Sequence, residues 1–282
     1  MGIGNTQEAK TTLVLGGTGK TGRRVVERLT ARGLSTRVGS RFGEPPFDWE
    51  NRVTWAPALR GVESVYLVYY PDLAAPWAAA TVRSFVELAV ESGVRRLVLL
   101  SGRGEEEARV SEQTVRDSGV DWTILRSSWF SQNFSEDYLL EPVLVGEVAL
   151  PAGNVPEPFV DAEDIADIAV AALTEDGHAG QLYELTGPRS LTFAEAAKEI
   201  AEATGREIRY VPVSLEEHAA EAAEHGVPAE VVELLTYLFA EVVDGRNANT
   251  TDAVRRALGR EPRDFKDYAR EAAATGVWDG GR

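Results

Sequence analysis

The feature that most constrains this chain is a run near its start, Thr12-Leu-Val-Leu-Gly16-Gly17-Thr18-Gly19-Lys20-Thr21-Gly22. An apolar strand runs into a glycine-rich bend, and the residues that follow, with Val25, Val26 and Leu29 facing inward, read as a helix. That context brings main-chain N–H groups to a phosphate. Gly16 permits the tight turn, Gly19 lets the N–H groups approach a pyrophosphate, and Gly22 allows close packing of helix on strand. The helix N-terminus adds roughly half a positive charge where the phosphates would sit. The spacing is G-x-x-G-x-x-G, and no Gly-Lys-Ser/Thr ending with P-loop spacing is present, so a dinucleotide is expected rather than ATP. The bland alternative is a mere tight strand–helix turn.

The end of the second strand chooses between nucleotides. An acid there would hold the ribose of NAD, whereas an Arg accommodates a 2′-phosphate. Here the strand ends Arg37-Val-Gly-Ser40-Arg41, and no acid appears until Glu44. Ser40 and Arg41 are the expected 2′-phosphate contacts, with Lys20 a candidate helper, and NADPH (NADP+) is the expected cofactor. A solvent-facing Arg is the alternative.

The rest of the first half alternates apolar runs with amphipathic stretches, which points to a parallel α/β sheet. Strands are expected at 12–15, 36–38, 53–55, 64–68, 97–100 and 122–125. Val82, Phe85, Val86, Ala89 and Val90 form a helical face that Gly93 ends. The segment GEPPFDWEN is too short and proline-rich for a crossover helix and is expected to be a loop against the adenine. In the second half, 146–150 and 181–185 read as strands. Thr192 with Glu195, and Ser214 with Glu217, match capping boxes. Pro228 opens a helix whose Val231, Leu235, Leu238 and Val242 share a face. The expected architecture is α/β, a Rossmann-type doubly wound parallel sheet with a smaller helix-rich lobe. Residues 11–126 would form the NADP(H)-binding domain, with further strands from 146–185, and residues 127–282 a partly interleaved substrate-binding lobe.

Composition narrows the partners. With 282 residues, a core can form without staples, and the absence of Cys excludes disulfides and a thiol nucleophile. The net charge of −16 argues against nucleic acid or anionic lipid. MGIGNTQEAK has no basic start followed by an apolar core, and no run of eighteen apolar residues exists, so neither a signal peptide nor a membrane span is expected. The expected partner is a small-molecule substrate, and the expected state a cytoplasmic monomer or homodimer.

Several segments in order resemble a known family: LGGTGKTG, LVLLSGRGE, SGVDWTILRSSWFSQNF, EPFVDAEDIADIAVAAL and YELTGP. The chain is similar to the NmrA-like branch of the atypical short-chain dehydrogenases, from about Thr11 to Val213, and within it to bacterial homologues of the festuclavine and agroclavine dehydrogenases. The resemblance implies that Tyr69, Tyr70 and Pro71 run beside the cofactor. It places Ser101, Gly102 and Arg103 beside the nicotinamide ribose. It gives Trp129, Phe130, Gln132 and Asn133 a part in the substrate pocket. The bland alternative for Trp129 and Phe130 is lid core, and Phe159 reads equally as the far wall of the pocket or as core.

Conventional members of that superfamily carry a Tyr-x-x-x-Lys pair that handles a proton. Anchored on Glu112 and Ser118-Gly119, those two positions fall at Glu105 and Arg109, so the pair is absent. Three chemistries survive: hydride transfer to an iminium or imine, hydride transfer to a quinone, and a sensor that only binds cofactor. An isomerase or cyclase on the same fold is a further alternative. Glu105 is the candidate catalytic group, stabilising a cationic substrate; its bland reading is a solvated acid in the first turn of a helix.

Other signals carry less. His178, His218 and His225 share no metal-ligand spacing, and His178 reads as a surface residue in a turn. No metal is expected. Asp161, Asp164 and Asp167 read as the cap and first turns of a helix. Ser101 lacks a G-x-S-x-G elbow, which disfavours a hydrolase.

Overall fold

The computed structural model describes residues 11–280. The opening stretch read above for leader character lies outside the described residues. The elements run β1 (Thr11–Leu15), α1 (Lys20–Ala31), β2 (Thr36–Gly39), α2 (Trp55–Leu59), β3 (Val62–Leu67), α3 (Ala78–Glu91), β4 (Arg96–Gly102), α4 (Ala108–Arg116) and β5 (Asp121–Ser127). Then come α5 (Asn133–Glu136), α6 (Leu140–Val145), β6 (Glu147–Leu150), β7 (Pro156–Glu157), α7 (Ala162–Thr174), β8 (Gln181–Leu185) and β9 (Leu191–Thr192). The chain ends with α8 (Phe193–Thr204), β10 (Arg209–Pro212), α9 (Leu215–Glu224), α10 (Ala229–Tyr237), α11 (Ala253–Leu258) and α12 (Phe265–Ala274).

Six strands form one parallel sheet in the order β2-β1-β3-β4-β5-β8. Successive side chains leave opposite faces of a strand, so the apolar strands feed two cores. Leu13, Leu15, Val65, Leu67, Leu97 and Leu99 pack with Val82, Phe85 and Val86 of α3 and Val115 of α4. Val14, Tyr66, Val98 and Leu125 pack with Val25 and Leu29 of α1 and Ile165, Ile168 and Ala169 of α7. A third core, built on Phe134, Phe159, Phe193, Phe265 and Trp278, lies in the second half of the chain. Of the two strands expected there, β8 joins the main sheet beside β5, whereas β6 pairs with β10 in a sheet of its own.

The strand expected at 53–55 is absent. Arg52–Thr54 is a 3₁₀ turn leading into α2; Val53 is 82% exposed, while Trp55 packs edge-on against Phe85 with ring centroids 5.7 Å apart. Parallel strands need a crossover, and this short helical segment supplies it between β2 and β3. The preceding stretch is a loop, as expected, and its Phe47 and Trp49 join the same aromatic cluster, centroids 5.0 Å apart.

Both capping boxes form, and the Asp161 side chain caps α7 by accepting from the Glu163 N–H at 2.8 Å. Asp164 and Asp167 are held by Arg260, and Asp167 also by Arg28 of α1. Arg24 pairs with Glu136 at 2.8 Å and Glu163 at 2.5 Å, so ion pairs tie the first helix to the later half of the chain. His178 corrects the reading of a surface turn: it is buried, and its Nδ1 lies 3.0 Å from the Tyr183 hydroxyl. No group of three metal-ligating side chains occurs among the described residues, and none of their helices is long and apolar enough to cross a membrane.

Candidate active site

The bend between β1 and α1 is built from backbone. Gly16 adopts φ +60°, a conformation open to Gly at little cost. At Gly22, a Cβ would come within 2.1 Å of the Gly16 carbonyl oxygen, so the first turn of α1 can lie on the bend only without a side chain there. Gly19 occupies the N-cap position of α1; no side chain caps the helix, and its first turn carries no acid. Thr18 and Gly19 are exposed. An uncapped helix N-terminus with glycine-bared amides fits a diphosphate. That is the test on which the expected dinucleotide stands.

β2 ends beside this bend. Ser40 is half-buried, its carbonyl accepting from the N–H groups of Gly43 (3.0 Å) and Phe47 (2.8 Å), which turns Arg41 outward to solvent. Arg37 is occupied, donating to the carbonyls of Ala58 and Arg60 at 2.7 and 2.8 Å. Among the described residues, Arg41 therefore stands as an uncommitted cation at the strand end. Lys20 is committed elsewhere: it donates to Asn133 Oδ1 at 2.9 Å, pairs with Asp137 and lies 5.6 Å over the Phe130 ring. It fastens the start of α1 to the segment after β5.

The loop after β3 sends its three resemblance residues different ways. Tyr69 turns into the core, its ring 4.9 Å from Trp49; Tyr70 is exposed; and the Tyr70–Pro71 peptide is cis. After β4, Ser101 points towards α4 and donates to buried Glu112 at 2.8 Å, where Arg126 also bonds at 2.5 and 2.9 Å. Arg103 is buried and donates to the carbonyls of Asn247 and Asn249 at 2.7 and 2.9 Å, clamping the distal chain onto this loop. Of this trio, Gly102 is left to face its neighbours with backbone alone.

Over Gly102 lies the Glu105 carboxyl. A Cβ on Gly102 would fall 1.8 Å from Glu105 Oε1, so the missing side chain makes the room. The expected first-turn acid is thus half-buried and lies outside the helix: α4 begins at Ala108, and Glu105 feels the charge of Asp72 from the loop after β3. Burial, then the Asp72 charge and hydrogen bond, then Glu107 and Glu112, hold the Glu105 carboxyl well above the usual carboxylate range. Burial also raises Asp72, against the pull of the Ala74 N–H and of Glu105 itself. Tyr237 at the end of α10 donates to Glu107.

The segment after β5 is more structural than its resemblance implies. Trp129 packs on Phe193 (5.7 Å) and Phe239 (5.2 Å) while keeping part of its surface open. Gln132 is buried and bonds Asp161 at 2.7 Å and the Ala162 N–H at 2.8 Å, so it serves the cap of α7. Phe159 sits in the third core against Phe134, Phe193 and Phe265. Phe130 bridges to Val160 and carries Lys20 over its ring.

Two acids escaped the sequence reading. Asp72 follows Pro71 directly, in a loop already placed beside the cofactor, and that adjacency was the available signal. Glu157 lies inside the otherwise apolar run around Pro158 and Phe159. It is 1% exposed, one of its oxygens has no partner, and burial pushes it up to about 7, opposed by Arg103 and aided by Asp244. A surface cavity of about 360 Å³, lined by charged residues of α12 with Asp161 and Arg263, shares no residue with these loops.

Comparison with protein-family models finds no match. The chain is 33% identical over 282 residues to the uncharacterized oxidoreductase YesF of Bacillus subtilis, covering 94% of this chain and 97% of that one. It is 31% identical to agroclavine dehydrogenase of Claviceps fusiformis, covering 92% and 96%. Among solved structures, the triphenylmethane reductase of Citrobacter sp., complexed with NADP(H), superposes with a TM-score of 0.75 at 21% identity, over 93% of this chain and 99% of that one.

Proposed function

The chain belongs to the NmrA-like atypical short-chain dehydrogenases/reductases, close to the ergot-alkaloid reductases, and from that membership we propose an NADPH-dependent reductase acting on a small cyclic or aromatic acceptor. It is an NAD(P)H-dependent oxidoreductase; the finer reading concerns the acceptor, an imine or iminium or a quinone. The observation that carries it is the uncapped, glycine-bared start of α1 at the carboxyl edge of a parallel sheet, where ligands of such sheets bind.

Bound there, the reduced nicotinamide supplies a hydride. The main-chain amides of Thr18, Thr21 and Gly22 hold the diphosphate on the turn that Gly16, Gly17 and Gly19 make, the Gly17 and Gly19 N–H groups being spent on the carbonyls of Gly39 and Gly16, and Arg41 with Ser40 reads the 2′-phosphate. Tyr70 and Pro71, with the backbone of Ser101 and Gly102, flank the reacting end. Trp129 and Phe130 offer the acceptor an apolar surface, and Asn133 sits behind them, holding Lys20. No Tyr-x-x-x-Lys occurs in the sequence, which disfavours alcohol–ketone interconversion by the conventional pair.

Calorimetry with NADPH, NADP+ and NADH, followed by loss of NADPH absorbance with a panel of cyclic imines, iminium salts and quinones, tests the reading. NADPH is expected to bind more tightly than NADH and to be consumed with at least one acceptor class. Tight cofactor binding without turnover of any acceptor overturns it.

A further inference from the structure

We propose that Glu105 donates the proton that accompanies hydride transfer, and that Asp72 positions that proton. The proposal rests on the reductase reading above and names the group that replaces the missing tyrosine.

Asp72 and Glu105 come from the loops that follow β3 and β4, neighbouring strands of the parallel sheet, so both stand at its carboxyl edge. Their carboxyl groups act directly on each other's ionisation, and Glu105 is held well above the usual carboxylate range by burial and by the Asp72 charge. Two neighbouring carboxylates cannot both ionise readily. The proton belongs on Glu105. Asp72 Oδ1 already accepts from the Ala74 N–H at 2.8 Å, which favours the anion there. The other charges that act on Glu105 are Glu107 and Glu112, both acids, and Tyr237 of α10 approaches as a hydroxyl bound to Glu107. A carboxylic acid kept neutral in this way is able to donate.

Place and space agree with that role. The Glu105 carboxyl lies flat on the end of β4 in the volume where a Gly102 side chain would be. Glu105 is also the position at which the family resemblance puts the conventional tyrosine, a correspondence drawn without reference to Asp72.

The step balances simply. In an imine the hydride reaches the carbon, the C=N π pair moves to nitrogen, and nitrogen takes the Glu105 proton; in a quinone the electron pair passes through the ring to a carbonyl oxygen, which takes that proton as the phenol forms. The O–H bond of Glu105 breaks and an N–H or O–H bond forms. The acceptor is reduced by two electrons and NADPH is oxidised by two. The carboxyl pair, now carrying two negative charges, regains its proton from water. A permanently charged iminium needs the hydride alone.

Glu105→Gln keeps size and removes the transferable proton. In cofactor-free protein at neutral pH, infrared spectroscopy should show the carbonyl band of a protonated carboxylic acid that disappears in Glu105→Gln and shifts in Asp72→Asn. With NADPH present, Glu105→Gln should slow reduction of a neutral imine or quinone by about 10²–10⁴-fold, the usual worth of a general acid. An N-alkylated iminium should lose far less. Asp72→Asn should move the alkaline limb of the rate profile to lower pH, because the partner charge that holds the proton on Glu105 is gone. The absence of a Glu105-dependent acid band, or equal losses with charged and neutral acceptors, overturns the proposal. If the wild-type protein binds no NADPH, the reductase reading itself fails, and the infrared result still decides the protonation of Glu105.

Discussion

The bend after β1 and the paired loops after β3 and β4 border the same edge of the sheet, and they are made in opposite ways. The first is local and nearly free of side chains: Gly16 turns, Gly22 clears the carbonyl of Gly16, and no side chain caps the helix that follows. The second is non-local and made of side chains, with Asp72 and Glu105 meeting only because β3 and β4 are neighbours. A backbone cradle suits a ligand group that is always the same, a diphosphate. A carboxyl pair suits a task that depends on how many protons are present. The contrast predicts that the cradle fails through sterics and the carboxyl side through pH.

The largest effect should come from breaking the cradle. Gly22→Val puts a Cβ within 2.1 Å of the Gly16 oxygen, with backbone rather than a flexible side chain as the obstacle. NADPH binding should fall below detection in calorimetry, and thermal or denaturant unfolding should show a loss of roughly 1–3 kcal/mol or more. A variant that still bound NADPH normally would mean that the close helix–bend contact does not shape the site.

A buried carboxyl outside that pair, Glu157 of β7, should answer to pH as well. Glu157 is raised from 4.5 to about 7 by burial, so the folded protein binds a proton that the unfolded chain releases. With a raised acid, stability falls as pH climbs from about 4.5 to about 7 and the cost is complete above that window. The full shift corresponds to about 3 kcal/mol. Denaturant unfolding of wild type and Glu157→Gln should show the variant gaining about 2–3 kcal/mol relative to wild type between pH 5 and pH 8. A difference that ignored pH would place an ordinary carboxylate at Glu157.

A smaller change sharpens the comparison by testing a side chain at the backbone-built end. Arg41→Ala should weaken NADPH by roughly 1–3 kcal/mol, the worth of a charge-assisted hydrogen bond, and leave NADH nearly unchanged. Equal weakening of both nucleotides would show that Arg41 does not read the 2′-phosphate.

Much of the architecture was legible because its signals are short-ranged. The apolar run ending in Gly16, the alternating strands, the helical face of Val82, Phe85 and Val86, and the two capping boxes each depend on residues a few positions apart. Where a short signal misled, packing had overruled it. The β-branched and aromatic content of 53–55 reads as strand, yet Trp55 is needed in the aromatic cluster and the chain turns helically to deliver it. His178 sits in a glycine turn that reads as surface, yet Tyr183 of the adjoining strand takes its ring into the interior.

The site divides along the same line. Gly16, Gly19 and Gly22 could be placed from the sequence because a glycine's role in a turn depends on its own backbone. The offices of the charged residues could not. Arg103, Ser101 and Gln132 all stand in segments that run to the carboxyl edge, but each is bound to a partner elsewhere in the chain: Asn247, Glu112 and Asp161. Glu105 reads as one of three consecutive solvated acids until the sheet brings Asp72 to it. Backbone conformation is decided by neighbours in sequence, whereas a side chain's protonation and bonding are decided by neighbours in space. The glycine bend was therefore written in the chain, and the meeting of Asp72 with Glu105 came about only when the strands assembled.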